Sequence, residues 1–142
     1  LMNRKILVIE DDPAGLRLVG YTLKKQGYEV VTASNGLEGL KKAREEGPDL
    51  VILDLMLPGV DGFEICHRLR TEPQTARLPI LVLSGKTGEA DRDTALKVGA
   101  NAYLVKPASP SEVIKQVESL LARKAAPGQH ADDSSRSTRC SR

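Results

Sequence analysis

Residues 49–62 read Asp-Leu-Val-Ile-Leu-Asp-Leu-Met-Leu-Pro-Gly-Val-Asp-Gly, and this stretch decides the fold class. Its segment 50–53 is continuously apolar rather than alternating. A run of this kind is typical of a β-strand in a sheet that is covered on both faces, as parallel sheets are. The run ends at Asp54. We therefore expect a buried parallel strand with a carboxylate at its carboxyl end.

Four apolar runs of this kind recur, at residues 6–9, 50–53, 80–83 and 102–105, and a mixed run at residues 29–33 suits an edge strand. Segments with apolar residues three and four positions apart lie between and after them, as in amphipathic helices. Five repeats of strand and helix imply a parallel sheet with helices on both faces and right-handed crossovers. We therefore predict an α/β fold, a single five-stranded parallel sheet of order 2-1-3-4-5 in the flavodoxin-like doubly wound (βα)5 class.

Length and composition fit one cytoplasmic domain. The chain has 142 residues, 40% of them hydrophobic but only 3% aromatic, so the core must be aliphatic. The net charge of +2 is too small to argue for binding to nucleic acid or to a membrane. Two cysteines, Cys66 and Cys140, do not suggest a disulfide framework and fit a reducing cytosol. The early apolar run is too short for a signal peptide or a membrane span.

The composition changes close to the C-terminus. Residues 125–142 are rich in Ser, Arg, Asp, Gly and Gln, a composition that cannot bury a core. We expect residues 1–124 to form the domain and residues 125–142 to be a disordered polar tail or a vector-derived extension.

Charged and polar side chains follow the predicted strands at the point where each strand ends. Strand 1 is followed by Glu10, Asp11 and Asp12, strand 3 by Asp54, strand 4 by Ser84 and strand 5 by Lys106. Because ligands bind beyond the carboxyl ends of parallel strands, we expect these side chains to converge at one edge of the sheet. Asp12 is the exception: Pro13 follows it, so we assign Asp12 to the cap of the first helix.

Carboxylates gathered in this way need a cation, because their mutual repulsion otherwise raises their pKa values. The ligands are oxygen atoms and no His or Cys cluster accompanies them, which favours Mg²⁺ over Zn²⁺. An Asp carboxylate can also act as a nucleophile toward phosphorus. Ser84 can donate a hydrogen bond to a phosphate oxygen, and Lys106 can supply a positive charge to it.

Four segments together resemble the bacterial two-component response-regulator receiver domains of the chemotaxis-regulator type. They are residues 6–12 (ILVIEDD), 49–62 (DLVILDLMLPGVDG), 79–85 (PILVLSG) and 99–107 (GANAYLVKP). Each alone is a weak signal, but their order and spacing are specific, and the resemblance covers about residues 3–123.

The resemblance implies that Asp54 is the phosphoacceptor. It also implies that Glu10, Asp11 and Asp54 form an acidic pocket for Mg²⁺, with the main-chain carbonyl of Met56 as a further ligand and with Mn²⁺ able to substitute for Mg²⁺. Glu10 is the longer of the two acids that the family uses at this position.

The same resemblance assigns two roles to the remaining polar positions. Ser84 and Lys106 would contact the phosphoryl group, and Ser84 would also be the switch hydroxyl. Tyr103 would be the aromatic residue that turns inward on activation; the alternative is that it simply packs in the core. A cis peptide bond is expected before Pro107.

The implied function is phosphorelay signalling. The domain would receive its phosphoryl group from a sensor histidine kinase or a histidine phosphotransfer protein and would control an effector through the face formed by helix 4, strand 5 and helix 5. It would assist its own phosphorylation and dephosphorylation without being an enzyme for an outside metabolite. Whether it stands alone or belongs to a larger regulator or hybrid kinase is left open.

Two other classes are excluded and one alternative is kept. A nucleotide or flavin site needs a phosphate-cradling loop after strand 1, where this chain has an acidic one. Phosphatases of the haloacid dehalogenase type resemble the motif but carry a second Asp where this chain has Met56. The alternative is a pseudo-receiver, a protein-interaction module with this fold that is not phosphorylated.

Overall fold

The computed structural model describes residues 4–85 and 88–125. Its five strands are β1 (Lys5–Ile9), β2 (Glu29–Ala33), β3 (Leu50–Leu53), β4 (Ile80–Ser84) and β5 (Ala102–Val105). Its five helices are α1 (Pro13–Lys25), α2 (Gly36–Glu46), α3 (Gly62–Thr71), α4 (Glu89–Lys97) and α5 (Pro110–Ala125). All strand pairs are parallel and the order is β2-β1-β3-β4-β5, which confirms the predicted fold class and strand order.

The strand bounds agree with the apolar runs except at two positions. β1 begins one residue earlier, at Lys5, and β4 ends one residue later, at Ser84. Ser84 stands in register with Val105, and its carbonyl accepts the Lys106 N–H at 2.8 Å. The expectation that Ser84 follows the strand is therefore wrong by one residue, because pairing with β5 extends β4 beyond its apolar run.

The core lies on both faces of the sheet. Successive strand residues point to opposite faces, so each buried strand contributes to two separate clusters. One cluster joins Leu7, Val51 and Val82 to the helices α2, α3 and α4. The other joins Ile6, Ile52 and Leu81 to α1 and α5. This arrangement explains why the strands read as continuous apolar runs.

Side-chain caps fix where the first three helices begin. Asp12 accepts the Gly15 N–H at 3.1 Å, as predicted for α1. Asn35 accepts the Glu38 N–H at 2.9 Å, and Asp61 accepts the Phe63 N–H at 3.0 Å. These bonds satisfy N–H groups that have no partner within a helix, and they hold the turns that follow β1, β2 and β3.

Cys66, on α3, lies in the core. Its side chain is fully buried, and burial raises the pKa of its thiol to about 11. The thiol is therefore protonated near neutral pH and behaves as a small apolar group.

Two expectations concern the ends of the chain. No helix among the described residues is long and apolar enough to cross a membrane. Of the expected polar tail, residues 125–142, only Ala125 at the end of α5 is described, and the rest, including Cys140, lies outside the described residues.

Gly62 lets α3 begin directly against the segment that follows β3. A Cβ atom on Gly62 would lie 2.5 Å from the Cα of Leu55 and 2.8 Å from its carbonyl oxygen. Backbone atoms cannot rotate away as the end of a side chain can. The close approach therefore requires glycine at this position and fixes the chain just after Asp54.

We predict opposite effects for two Gly-to-Ala substitutions. Gly62→Ala should lower the free energy of unfolding by about 1–3 kcal/mol, because the added methyl group overpacks against backbone. Gly20→Ala, within α1, should raise it by about 0.5–1 kcal/mol through helix propensity. A Cβ there would meet only the Val30 side chain, at an ordinary 3.9 Å. Urea denaturation measures the free energy of unfolding of both variants. If both substitutions changed it in the same direction, the close packing described at Gly62 would be contradicted.

Candidate functional site

The strand register brings the predicted polar residues to the carboxyl end of the sheet. β1 and β3 are neighbours, with Ile9 opposite Leu53, so the residues that follow them, Glu10 and Asp54, lie side by side. The Asp54 N–H donates to the Ile9 carbonyl at 3.0 Å and holds this alignment. The predicted convergence of acids from separate strands is therefore confirmed.

Glu10, Asp11 and Asp54 form one acidic cluster. Each contributes a carboxylate oxygen, and these oxygens lie within 4.8 Å of one another. Glu10 and Asp54 are each only 5% exposed, whereas Asp11 is exposed. Asp11 thus opens the cluster to solvent on one side, while the other two carboxylates are held against the protein. The spacing and the oxygen donors fit a divalent cation.

Lys106 supplies a positive charge to this cluster. Its Nζ donates to Asp54 Oδ2 at 3.0 Å and also contacts Glu10 Oε1 in an ion pair. The peptide bond between Lys106 and Pro107 is cis, as the resemblance implied. One ammonium group therefore bridges two nearly buried carboxylates, which lowers their mutual repulsion.

The two carboxylates respond differently to this environment. Burial raises the pKa of Glu10, and the hydrogen bonds that it accepts from Lys106 and from the Asp12 N–H only partly oppose the rise. Burial acts in the same direction on Asp54, but the Met56 N–H, at 2.9 Å from Oδ1, and Lys106 outweigh it. The pKa of Asp54 therefore lies below its usual value, and Asp54 is ionised at neutral pH.

The shift at Asp54 has a definite sign for stability. Because its pKa is lower in the folded than in the unfolded state, Asp54 contributes stability above its unfolded pKa and loses that contribution as the pH falls through the folded value. Burial would lower the pKa of Lys106, but its bonds to Glu10 and Asp54 raise it instead, so the ammonium stays charged. The cluster thus holds an ionised carboxylate with a fixed cation beside it.

Met56 belongs to the same segment. Its N–H orients Asp54, while its side chain is 58% exposed at the rim of the site. The assignment of its carbonyl as a metal ligand stays a prediction.

Ser84 and Tyr103 lie next to this cluster and inside the protein. Ser84 is fully buried at the end of β4, and Tyr103, on β5, is 8% exposed and packs in the core. Burial and, to a lesser degree, the charge of Asp91 raise the pKa of Tyr103, and a side-chain hydrogen bond with Ser84 partly opposes this rise. Tyr103 thus already occupies an inward position, and its exchange with an outward one stays a prediction.

Sequence reasoning missed two features of the site. It assigned Lys106 to the phosphoryl group but not to the ion pair with Glu10, although one Lys among converging acids is the signal that could have shown it. It also missed a cleft of about 410 Å³ beside these two residues, between α1 and the segment after β5. Gly15 lines this cleft, and a side chain there would narrow it.

Comparisons with known proteins agree with this geometry. The family model of the response regulator receiver domain matches residues 6–118. The chain is 48% identical over 122 residues to the alkaline phosphatase synthesis transcriptional regulatory protein PhoP of Bacillus subtilis, covering 86% of this chain and 50% of PhoP. The chain therefore spans about half the length of the relatives it matches.

Solved structures show the same likeness. A CheY-like response regulator receiver domain protein of Methanospirillum hungatei superposes with a TM-score of 0.82 at 27% identity, covering 89% of this chain and all of that one. The receiver domain of the sensor histidine kinase PA1611 of Pseudomonas aeruginosa superposes with a TM-score of 0.79 at 26% identity, covering 85% and 99%. That structure has a magnesium ion coordinated in its active-site cleft. With a matching family model over most of its length, this chain belongs to the response regulator receiver domains.

Proposed function

We propose that this domain acts in a phosphorelay by accepting a phosphoryl group on Asp54 in a Mg²⁺-dependent reaction. The observation that carries the proposal is the arrangement around Asp54: an ionised carboxylate with two further acids within ligand distance and an ammonium group at 3.0 Å. A pseudo-receiver has no need of such an arrangement. Burial of two like charges costs stability, and a function of the site explains why the chain keeps them.

The residues present fit a magnesium ion. Glu10, Asp11 and Asp54, with the carbonyl of Met56, would hold it, and Mn²⁺ would substitute because it accepts the same donors. Mg²⁺ typically binds one or two carboxylates, several waters and phosphate oxygens, and exposed Asp11 leaves room for such a shell. When bound, the ion offsets the negative charge of the transferring phosphoryl group. The magnesium ion in the PA1611 receiver domain supports this assignment.

The donor is a phosphohistidine on a sensor histidine kinase or on a histidine phosphotransfer protein. An oxygen of Asp54 forms the new O–P bond while the N–P bond of the donor breaks and its electron pair returns to the imidazole. The Met56 N–H holds Oδ1, which fixes the orientation of the carboxylate for attack. Lys106 stays beside the phosphoryl oxygens and neutralises part of their charge.

The phosphorylated site would act on the output through Ser84 and Tyr103. Ser84 donates to a phosphoryl oxygen, and the loss of its bond to Tyr103 changes the packing of β5. The affected surface is the face of α4, β5 and α5, where Leu96 and Val105 are each 40% exposed. An effector or output domain binds there, while the receiver itself, residues 1–124, makes no contact with nucleic acid or membrane and works in the cytoplasm.

We predict that acetyl phosphate with Mg²⁺ adds the mass of one phosphoryl group to the wild-type protein and not to Asp54→Asn. The matched control is Asp61→Asn, which keeps a side chain able to cap α3 in the same connecting segment. Mass spectrometry with and without a chelator measures the gain, and beryllofluoride should shift the amide signals of Ser84 and Tyr103. A wild-type protein unchanged by both reagents would be a pseudo-receiver.

Asp11 and Asp12 are adjacent, exposed acids with different roles, so they form a matched pair. Asp11→Asn should weaken Mg²⁺ binding by about tenfold or more, because it removes a ligand of the cluster. Asp12→Ala should leave the affinity within about twofold and cost about 1 kcal/mol of folding stability, because it removes the α1 cap. Calorimetric titration and urea denaturation separate the two effects, and equal losses of affinity would contradict the assignment.

Lys106→Met should increase the affinity for Mg²⁺. The ammonium group competes with the metal for Glu10 and Asp54, so its removal leaves a more negative cluster. We expect the free energy of Mg²⁺ binding to become more favourable by about 1.4 kcal/mol, which is about tenfold in affinity. Lys97→Met, at the exposed end of α4, is the control for a general change in charge. Affinity that falls in Lys106→Met would show that Lys106 supports the metal site instead.

A further inference from the structure

Arg70, near the end of α3, binds to two separate segments at the amino end of the sheet. Its guanidinium donates to the carbonyls of Leu78 at 2.7 Å and Ala76 at 3.2 Å in the segment before β4. It also donates to the Gly99 carbonyl at 2.9 Å and to Asn101 Oδ1 at 2.7 Å in the turn before β5. A planar guanidinium has five N–H donors in a fixed fork and can join these four acceptors, whereas an ammonium has only three donors.

The turn between α4 and β5 is built around this side chain. Gly99 has a φ of 122°, which favours glycine, and a Cβ there would collide with the Arg70 side chain. Asn101 makes two hydrogen bonds with Ile80, both at 2.8 Å. The Asn101 N–H donates to the Ile80 carbonyl, and Asn101 Oδ1 accepts the Ile80 N–H. Residues 99–101 are therefore fixed to α3 and to β4 at the same time.

The opposite end of α4 is held much less firmly. Of the nine residues of α4, only Ala95 is buried. Its N-cap is Gly88, which has no side-chain cap bond, whereas α1, α2 and α3 each have one. The firmly held end lies at the amino edge of the sheet, and the weakly held end lies at the carboxyl edge, where β4 leads toward the site.

We propose that Arg70 is a positioning residue that pins the turn between α4 and β5, so that α4 pivots about residues 98–101 and moves at its N-terminal end. The pivot itself is a property of the resting protein, and its use in signalling rests on the proposed function. Because few contacts stabilise the N-terminal end of α4, the free energy of local opening is low there, as it is in segments that move during a conformational change.

Amide hydrogen exchange of the whole chain, followed by NMR, tests the pivot. After correction for intrinsic rates, we expect Asn101 to be protected about tenfold or more above Arg92, whose N–H makes the first bond of α4, to Gly88 at 3.2 Å. Leu16 makes the same first bond in α1, beside the Asp12 cap, and should also exceed Arg92. Equal protection of Arg92 and Asn101 would overturn the proposal.

Two substitutions on α3 identify Arg70 as the cause. Arg70→Gln should lower the protection of Asn101 by about tenfold and leave that of Arg92 within about twofold. Arg68→Gln is the matched control, because Arg68 pairs with Glu64 on the helix surface and should change neither amide. If Arg70→Gln does not fold, Arg70→Lys, which keeps the charge but not the fork, should show a several-fold loss at Asn101. Unchanged protection of Asn101 would refute the role of Arg70.

Beryllofluoride with Mg²⁺ separates this proposal from the proposed function. In the wild-type protein the amide shifts should decrease along α4 from Glu89 to Lys97 and be small at 99–101, and in Arg70→Gln they should extend into 99–101. No shift at Ser84 would contradict the proposed function and leave the exchange result to decide the pivot. Shifts at Ser84 with equal shifts along residues 89–101 would refute the pivot alone.

Discussion

The ion pairs of Lys106 with Glu10 and Asp54 are the interaction on which the site depends. Two nearly buried carboxylates at hydrogen-bonding range of one ammonium would otherwise repel each other, and one of them would take up a proton. The Met56 N–H and this ammonium together hold the pKa of Asp54 below its usual value, so the carboxylate stays ionised in the absence of a metal. The ammonium group occupies the space between the acids, so a bound cation and a phosphoryl group must rearrange contacts that already exist rather than create them.

This cluster follows from the topology of the sheet more than from any local motif. Glu10 and Asp54 are far apart in the chain, but the strand order places β1 beside β3, and parallel strands end at the same edge. The apolar residues of both strands fill cores on the two faces, so a slip of one residue would move each side chain into the opposite core and mispack both. The packing of aliphatic side chains thus sets the distance between Glu10 and Asp54.

The sequence could predict most of this because each signal was local. Continuous apolar runs identified the strands, and the residue after each run identified Glu10, Asp54 and Lys106. The end of β4 was predicted one residue too early, before Ser84, because pairing with β5 and not hydrophobicity determines where β4 ends. The Lys106–Glu10 contact and the bonds of Arg70 depend on the paths of long side chains across distant segments, and no pattern of spacing encodes those.

The two edges of the sheet are held by different chemistry, and that difference bears on how the domain can switch. At the carboxyl edge, charges stand close together and their balance changes when a cation or a phosphoryl group arrives. At the amino edge, the charge of Arg70 is bound by neutral carbonyl and amide oxygens, so a change of charge at the site does not alter its partners. If both edges of the sheet were held equally firmly, a rearrangement at the carboxyl edge would either be resisted by the whole domain or disrupt the whole domain. Holding one edge with neutral acceptors lets the other rearrange while the core stays packed.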